Sequence, residues 1–282
     1  MGRHLDAAKA YIGRDAAGML AGGRYALVHT RSMEFDELRP YVPGDDVRDI
    51  DWKATARSRK LISREYQDEK NQQLVVVLDT GRRMLAQETT SADTGHALSH
   101  FDHALDAALV VSYLALRQGD AVGLFATGGE ARWMAPQRGM GAIDTLLRVS
   151  YDLQPQPVAT DYLAAATELS LRQRRRGLLM LVTNLRDEDI EDVLAAVRLL
   201  QRRHLVIVAS LRERALDAVL ESEVHDHDAA VRAGATARYL AQRQAAHDAL
   251  RNHGVTVLDV TGEALPAALV DRYLAVKRDG RL

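Results

Sequence analysis

The stretch LVVVLD, from Leu74 to Asp79, decides the fold of this chain. It is an uninterrupted apolar run that ends in an aspartate, a pattern typical of a strand buried on both faces of a parallel sheet. Similar runs follow along the chain: AVGLFA after Asp120, GLLMLVTN at 177–184, HLVIVAS at 204–210 and VTVLDV at 255–260. Helical patterns fill the gaps between them. Strands that alternate with helices predict a doubly wound, mainly parallel α/β sheet.

Four helices and one strand of different direction are predicted around these runs. The helices cover Asp102 to Arg117, an amphipathic segment with Ile190, Val193, Leu194, Val197 and Leu200 on one face, a long Ala-rich segment from about Ala229 to Gly254, and a last segment with Pro266 in an early turn. Gly128-Gly129 is a hairpin signal, so residues 130–134 are expected to form an antiparallel edge strand. The sheet is therefore expected to have about six strands.

Composition restricts the function. The chain has 282 residues, a net charge of −2 and no cysteine, which excludes thiolate metal sites and cysteine nucleophiles. A nucleic-acid-binding domain is usually strongly basic, so no nucleic-acid partner is expected. The longest apolar stretch, ALVVSYLAL at 108–116, is too short to span a bilayer. We expect a cytoplasmic protein without membrane insertion.

Two regions are predicted. Residues 1–72 form an N-terminal helix over about the first 22 residues, followed by a small β-rich unit, and residues 73–282 form the α/β domain. The β-rich unit contains YVPGDDVRDIDWKATAR, from Tyr41 to Arg57, in which acidic and basic side chains alternate. We interpret this stretch as a structural clasp, with Ile50 anchoring it in the core. The clasp comprises Arg39, Gly44, Asp45, Asp46, Arg48, Asp51, Trp52 and Arg57, with Trp52 as a second anchor. The alternatives are a partner-binding surface built on the clasp and a catalytic carboxylate pair.

Ligands of such sheets bind beyond the carboxyl ends of the strands. Three loops lie there: DTGRRM after the first buried strand, ATDYL around residue 160, and TNLRDED after the third. With Asp79, Thr160-Asp161 and Thr183-Asn184 in these places, the edge resembles that of von Willebrand factor A-type domains. In that family, an Asp-x-Ser-x-Ser motif, a threonine and an aspartate hold a divalent metal.

The sequence also departs from the metal-binding motif of that family at three positions. Its two serine positions fall on Gly81 and Arg83, and its last acidic position falls on Asn184. We therefore expect a degenerate site without a metal or cofactor, in which Arg83 places a cation where the metal would sit. Asp187 or Asp189 are the candidates for substitute oxygens.

A longer resemblance covers EFDELRPYVPGDDVRDIDWKATARSRKLISREYQDEKNQQLVVVLDTG, residues 34–81. This stretch is similar to the signature of a bacterial family, domain-of-unknown-function family 58. That family implies a non-enzymatic, chaperone-like adaptor that works with a MoxR-type AAA+ ATPase on an unknown client protein. The expected partner-binding edge comprises Asp79, Gly81, Arg83, Thr160, Asp161 and Asn184. The alternative is a divalent-metal-dependent binding protein or hydrolase that uses the same edge.

Three further motifs have two interpretations each. His96, His100 and His103 have the spacing of a zinc site, but Ser99 is well placed as a helix N-cap, which would leave His96 outside the helix. HDHD, residues 225–228, is either a metal ligand set or a solvated loop. RQRRR, residues 172–176, is either a solvated helix end or a binding site for an acidic partner or nucleic acid.

Overall fold

The computed structural model describes residues 33–42, 50–68, 72–89 and 97–280. In those ranges the strands are β1 (Met33–Pro40), β2 (Ile62–Asp68), β3 (Gln73–Asp79), β4 (Gln87–Thr89), β5 (Ala97–Ser99), β6 (Ala121–Thr127), β7 (Arg132–Gln137), β8 (Leu178–Thr183), β9 (Leu205–Arg212) and β10 (Thr256–Thr261). The helices are α1 (Trp52–Ser58), α2 (His100–Arg117), α3 (Gly141–Ser150), α4 (Tyr162–Arg172), α5 (Ile190–Gln201), α6 (Arg214–Glu221), α7 (His227–Asn252) and α8 (Leu265–Arg278). Short 3-10 turns cover Arg82–Leu85 and Asp187–Asp189. The predicted N-terminal helix lies outside the described residues.

The main sheet confirms the predicted fold class. In the described part of the chain it has six strands in the order β10-β9-β8-β3-β6-β7. Five are parallel, and β7 pairs antiparallel with β6 at the edge. The hairpin turns at Gly128, whose φ of +101° is a conformation that favours glycine. The edge strand begins two residues later than predicted.

Both faces of this sheet are covered by helices, which explains the unbroken apolar runs. Alternate residues of β3 point to opposite faces: Val76 and Leu78 pack with α2, α3 and α8, whereas Val75 and Val77 pack with α4, α5 and α7. Because each strand is buried on both sides, it shows no apolar-polar alternation.

Most helix boundaries follow the local signals. Ser99 caps α2: its Oγ accepts from the Asp102 amide, while the Asp102 carboxylate accepts from the Ser99 amide. The helix α7 ends just before Gly254, whose φ is +75°. The sequence analysis did not predict α3 or α6; α6 has only eight residues, and none of them is buried.

The β-rich unit is confirmed where it is described. Strands β1 and β2 pair antiparallel, and Asp51 caps α1 by accepting from the Lys53 and Ala54 amides, both at 2.9 Å. Ile50 is buried, as expected of an anchor. The same expectation for Trp52 is wrong, because its side chain is 64% exposed at the start of a helix that has no buried residue.

Of the remaining clasp residues, Arg57 is exposed in the last turn of α1. Gly44, Asp45, Asp46 and Arg48 lie outside the described residues, and Arg39 is placed only by its backbone, opposite Ser63 in the β1–β2 ladder. The division of the chain between residues 72 and 73 stays a prediction. Among the described helices, none combines the length and the apolar character that crossing a membrane requires.

Candidate functional site at the carboxyl edge of the sheet

The carboxylate of Asp79 is the centre of the edge. It ends β3, is fully buried, and accepts four hydrogen bonds from the protein. Its Oδ1 accepts from the Gly81 amide at 2.8 Å and from Thr160 Oγ1 at 2.6 Å. Its Oδ2 accepts from the Tyr162 hydroxyl at 2.9 Å and from Thr183 Oγ1 at 2.6 Å. A carboxylate has about four lone-pair sites, so these contacts use its full capacity as an acceptor.

Tyr162 is the donor that the sequence analysis missed. It begins α4, points into the edge, and also contacts Thr183 Oγ1 at 2.9 Å. Burial, with the neighbouring Asp79 carboxylate, raises the pKa of Tyr162 well above its ordinary value. The phenol therefore keeps its proton and acts as a fixed donor. The first residue of a helix gives no sequence signal for such a contact.

Two glycines allow this close packing. A Cβ at Gly81 would lie 2.2 Å from Thr160 Oγ1, and a Cβ at Gly128 would lie 2.3 Å from the same atom. Both distances are shorter than any van der Waals contact, so a larger residue must displace Thr160. A serine at position 81 would therefore clash with Thr160 unless that side chain moved.

Arg83 does not occupy the place of a metal beside Asp79, contrary to expectation. Its Nε donates to Asp189 Oδ2 at 3.1 Å, and its guanidinium also pairs with Glu188. The four contacts of Asp79 do not include Arg83. The arginine instead joins the turn after β3 to the turn after β8, and it removes Asp189 from the candidate cation ligands.

Asp161 is a helix cap. Its Oδ1 accepts from the Ala164 amide at 2.7 Å, while Asp192 Oδ2 accepts from the Tyr162 amide at 2.7 Å. The first turn of α4 is therefore satisfied by two carboxylates, as favoured by the positive end of a helix dipole. Asp161 and Asp192 therefore have a structural role as caps of α4.

The residues present do not fit a divalent cation. Ca²⁺ and Mg²⁺ need about six or more oxygen ligands. Here the oxygens of Asp79 already accept four hydrogen bonds, Gly81 and Arg83 contribute none, and Asp189 is held by Arg83. Within the described ranges, no group of three or more histidine and acidic side chains is arranged to hold a metal ion.

Asn184 belongs to a second network. It is fully buried, its Oδ1 accepts from Arg243 Nη1 at 3.0 Å, and its Nδ2 donates to Glu213 Oε1 at 3.0 Å. None of these hydrogen bonds involves Asp79. The predicted edge residues therefore fall into two hydrogen-bond networks, and the adjacent residues Thr183 and Asn184 belong to different ones.

Arg243 organises this second network and was also missed. It lies on α7, is 1% exposed, and all five of its N–H donors are used. Besides Asn184, its acceptors are Asp259 Oδ1, Ser210 Oγ and the carbonyls of Leu185 and Leu211, at 2.6–3.1 Å. A signal did exist: Arg243 and His247 lie at helical spacing on the same stripe as the buried Leu250.

His100 connects this network to β4. Its Nε2 lies 3.3 Å from Glu88 Oε1 and its Nδ1 lies 3.3 Å from Asn184 Nδ2, which fits a ring that is protonated at Nε2. Burial alone would raise the pKa of Glu88, but hydrogen bonds from His100 and from the Arg214 amide outweigh it and lower that pKa. Burial lowers the pKa of the neighbouring His103. The histidines of α2 thus serve internal packing, and the zinc interpretation is not supported by their contacts.

The other tentative sites are placed as follows. In HDHD, Asp226 caps α7 by accepting from the Ala229 amide at 2.6 Å, and the surrounding side chains are exposed. In RQRRR, Arg172 pairs with Glu168 within α4, and Gln173 is buried. The remaining arginines continue beyond the helix.

By topology, the chain is a von Willebrand factor A-like α/β protein, and the aspartate at the edge of its sheet accepts hydrogen bonds from its own side chains. It belongs to the family described as "Protein of unknown function DUF58", whose model matches residues 37–256. It is 29% identical over 171 residues to "Uncharacterized protein Rv1480" of Mycobacterium tuberculosis (strain ATCC 25618 / H37Rv), a match that covers 59% of this chain and 51% of that protein. "Uncharacterized protein Mb1516" of Mycobacterium bovis matches to the same extent. The chain spans about half the length of these relatives.

Solved structures resemble it at low identity. The crystal structure of the SpRpn10 VWA domain has a TM-score of 0.40 and 11% identity, and covers 71% of this chain and 94% of that one. The PilB minor pilin from Streptococcus sanguinis has a TM-score of 0.49 and 14% identity, and covers 78% of this chain and 64% of that one.

Proposed function

We propose that this protein is a non-enzymatic interaction module that uses the carboxyl edge of its sheet to dock another protein. The observation that supports the proposal is the closure of the edge around Asp79. A carboxylate that accepts four internal hydrogen bonds is not available to a cation or a substrate, but it fixes the loops around it. A rigid loop surface is what protein recognition needs, because less conformational freedom is lost on binding.

A partner would not contact most of the predicted partner-binding residues directly. Asp79, Gly81 and Asn184 are buried, so they can only position the loops. The exposed side chains are those around them: Leu85 and Val158 are large exposed hydrophobics. Arg82 and Glu188 lie beside them and complete a mixed apolar and charged rim, a composition common in protein interfaces.

The partner that we propose is a MoxR-type AAA+ ATPase, with an unknown client protein. This part of the proposal is supported by the resemblance to family 58 alone. In it, the loops after Asp79, Thr160 and Asn184, or the β-rich unit, contact the ATPase or its client, and the protein assists the maturation or assembly of the client. No step of chemistry on the client is assigned to this chain.

The experiment is a binding titration between the purified full chain and a MoxR-type ATPase of the same organism, with ATP, ADP or a non-hydrolysable analogue. Leu85→Asp and Val158→Asp each place a charge in the rim and should weaken binding at least tenfold, because an unpaired charge is then desolvated in the interface. Leu220→Asp is the matched control, since Leu220 is an exposed leucine on α6. Binding that all three variants leave unchanged would exclude the rim as the docking surface.

A second arm tests the non-enzymatic part of the proposal. Mg²⁺ or Mn²⁺ at millimolar concentration should leave the melting temperature unchanged, because a ligand stabilises only the state that binds it. A clear rise that Asp79→Asn abolishes would favour the metal-dependent alternative.

A further inference from the structure

The outward face of α4 is unusually apolar for a surface helix. Such a helix normally turns its polar side chains to solvent. The exposed residues of α4 include Leu163, which is 42% exposed, and Leu171, which is 69% exposed, with Thr167 midway between them. Glu168 is the charged residue on this face, and Arg172 Nε donates to its Oε1 at 2.9 Å. The stripe Leu163–Thr167–Leu171, at spacings of four, lies on one side of the helix.

The two ends of this stripe carry opposite charge. Asp161 and the half-buried Asp192 lie at the start of α4. Arg174 and Arg175 are exposed beyond its last turn. The helix dipole favours a cation such as Arg172 in the last turn, but its effect fades within that turn and does not account for the following arginines.

A second pair of arginines extends the basic end. The Leu205 amide donates to the Gly177 carbonyl at 3.1 Å, which brings the chain before β9 alongside the chain before β8. Arg202 and Arg203 therefore lie at the same end of the sheet as Arg174 and Arg175. In the ranges that the structure describes, these four arginines make no ion pair. All four side chains are exposed, and their positive charges repel one another. An acidic group from another molecule would relieve that repulsion.

We propose that α4 is a homodimer interface, in which two copies pack this helix antiparallel about a twofold axis at Thr167. Leu163 and Leu171 lie four residues on either side of that position, so each Leu163 meets Leu171 of the second copy. The contact is self-complementary, as a twofold interface must be.

Charge fixes the direction of the pairing. At 1.5 Å per residue, Asp161 and residue 173 lie about 9 Å to either side of Thr167 along the helix. An antiparallel pair therefore brings the acidic start of each helix against the arginines at the end of the other. A parallel pair would oppose like charges at both ends, at a cost. A uniformly acidic ligand, such as a nucleic acid, would match one end and leave the leucine stripe exposed.

The absence of cysteine from the sequence allows a direct test. The axes of packed helices lie about 8–10 Å apart and each Cα lies about 2.3 Å from its own axis, so Cα atoms that face each other directly are about 3.5–5.5 Å apart, within the reach of a disulfide. Thr167→Cys should form a covalent dimer on mild oxidation. Leu163→Cys and Leu171→Cys should each remain monomeric on reducing-agent-free gels when alone, and should cross-link when mixed. Leu220→Cys, a substitution of an exposed leucine on α6, is the control and should not cross-link.

Sedimentation equilibrium of the full chain gives an independent readout. One helix from each protomer makes a small interface, so we expect a dissociation constant of about 1–100 μM that rises with salt. Leu171→Asp and the double change Arg174→Glu with Arg175→Glu should each raise it at least tenfold, with circular dichroism unchanged. The proposal is overturned by a monomer at about 100 μM, by cross-linking of Thr167→Cys no greater than that of Leu220→Cys, or by a dimer that Leu171→Asp leaves intact.

Discussion

Replacement of Arg243 by methionine should be among the most damaging single changes in this protein. Its guanidinium is 1% exposed and donates five N–H groups to buried acceptors. Methionine fills much of the volume and supplies no donor. The carbonyls of Leu185 and Leu211 then lose their partner, and so does the Asp259 carboxylate.

The size of the loss in stability can be estimated from the acceptors that Arg243→Met leaves without a donor. An unsatisfied buried acceptor costs about 1–3 kcal/mol, and breaking a buried charged pair costs about 3–5 kcal/mol. Asp259 is 20% exposed, so water recovers part of its loss. Removal of the guanidinium also relieves the cost of burying it. We expect the free energy of unfolding to fall by about 3–5 kcal/mol.

Urea unfolding, followed by circular dichroism and by fluorescence, measures this change. Arg238→Met is the matched control, since Arg238 is an exposed arginine on the same helix, and it should change stability by less than about 0.5 kcal/mol. Arg243→Lys keeps the charge but has three donors without the planar fork, so its loss should be intermediate. A loss below about 1 kcal/mol for Arg243→Met, or equal losses for the two arginine sites, would refute the reasoning.

Two further outcomes are expected. Gly81→Ser should lower the free energy of unfolding by about 1–3 kcal/mol, because the new Cβ meets Thr160. Mg²⁺ should not restore the lost stability. The melting temperature of the variant with and without Mg²⁺ checks this, and a Mg²⁺-dependent rise would contradict it. Burial and the nearby Arg243 together lower the pKa of His247 to about 4, against the opposing effect of Asp259. The unfolded chain therefore takes up the proton first, so stability falls as pH drops from about 6.5 to about 4, by up to about 3 kcal/mol. His247→Leu should flatten the profile of stability against pH over that interval, and an unchanged slope would contradict the assignment.

The sheet could be predicted from sequence because its signal is local. The apolar run from Leu74 to Asp79 by itself predicts a strand buried on both faces, and Gly128 by itself predicts the turn of the edge hairpin. The helix α2 could be bounded from Ser99 and Asp102 for the same reason, since capping depends on residues three apart. These elements required no knowledge of which strands become neighbours.

The closure of the edge could not be predicted in the same way. It depends on contacts between distant residues: Asp79 meets Tyr162 across 83 positions, and Arg83 meets Asp189 across 106. The resemblance to the metal-binding edge identified which residues were missing. It did not show what would replace the metal, and it assigned that place to Arg83. The error came from treating a long, flexible side chain as if its position in the motif fixed its partner.

Closure of the edge and exposure of the rim have one physical origin. In the metal-binding version of such an edge, the cation joins three loops that come from different strands. Here the hydroxyls of Thr160, Tyr162 and Thr183 do so by converging on Asp79, and Arg83 joins a further pair of turns. Loops that are joined by internal hydrogen bonds need no ion to hold their conformation. The positions of their exposed side chains should therefore not depend on the metal concentration. Thr183→Val, which removes one donor from Asp79 and nearly preserves the side-chain volume, should therefore loosen the rim as well as the core. Hydrogen exchange of the amides at residues 80–86 should then accelerate together with those at 158–160, and acceleration confined to β8 would show that the loops are held by something else.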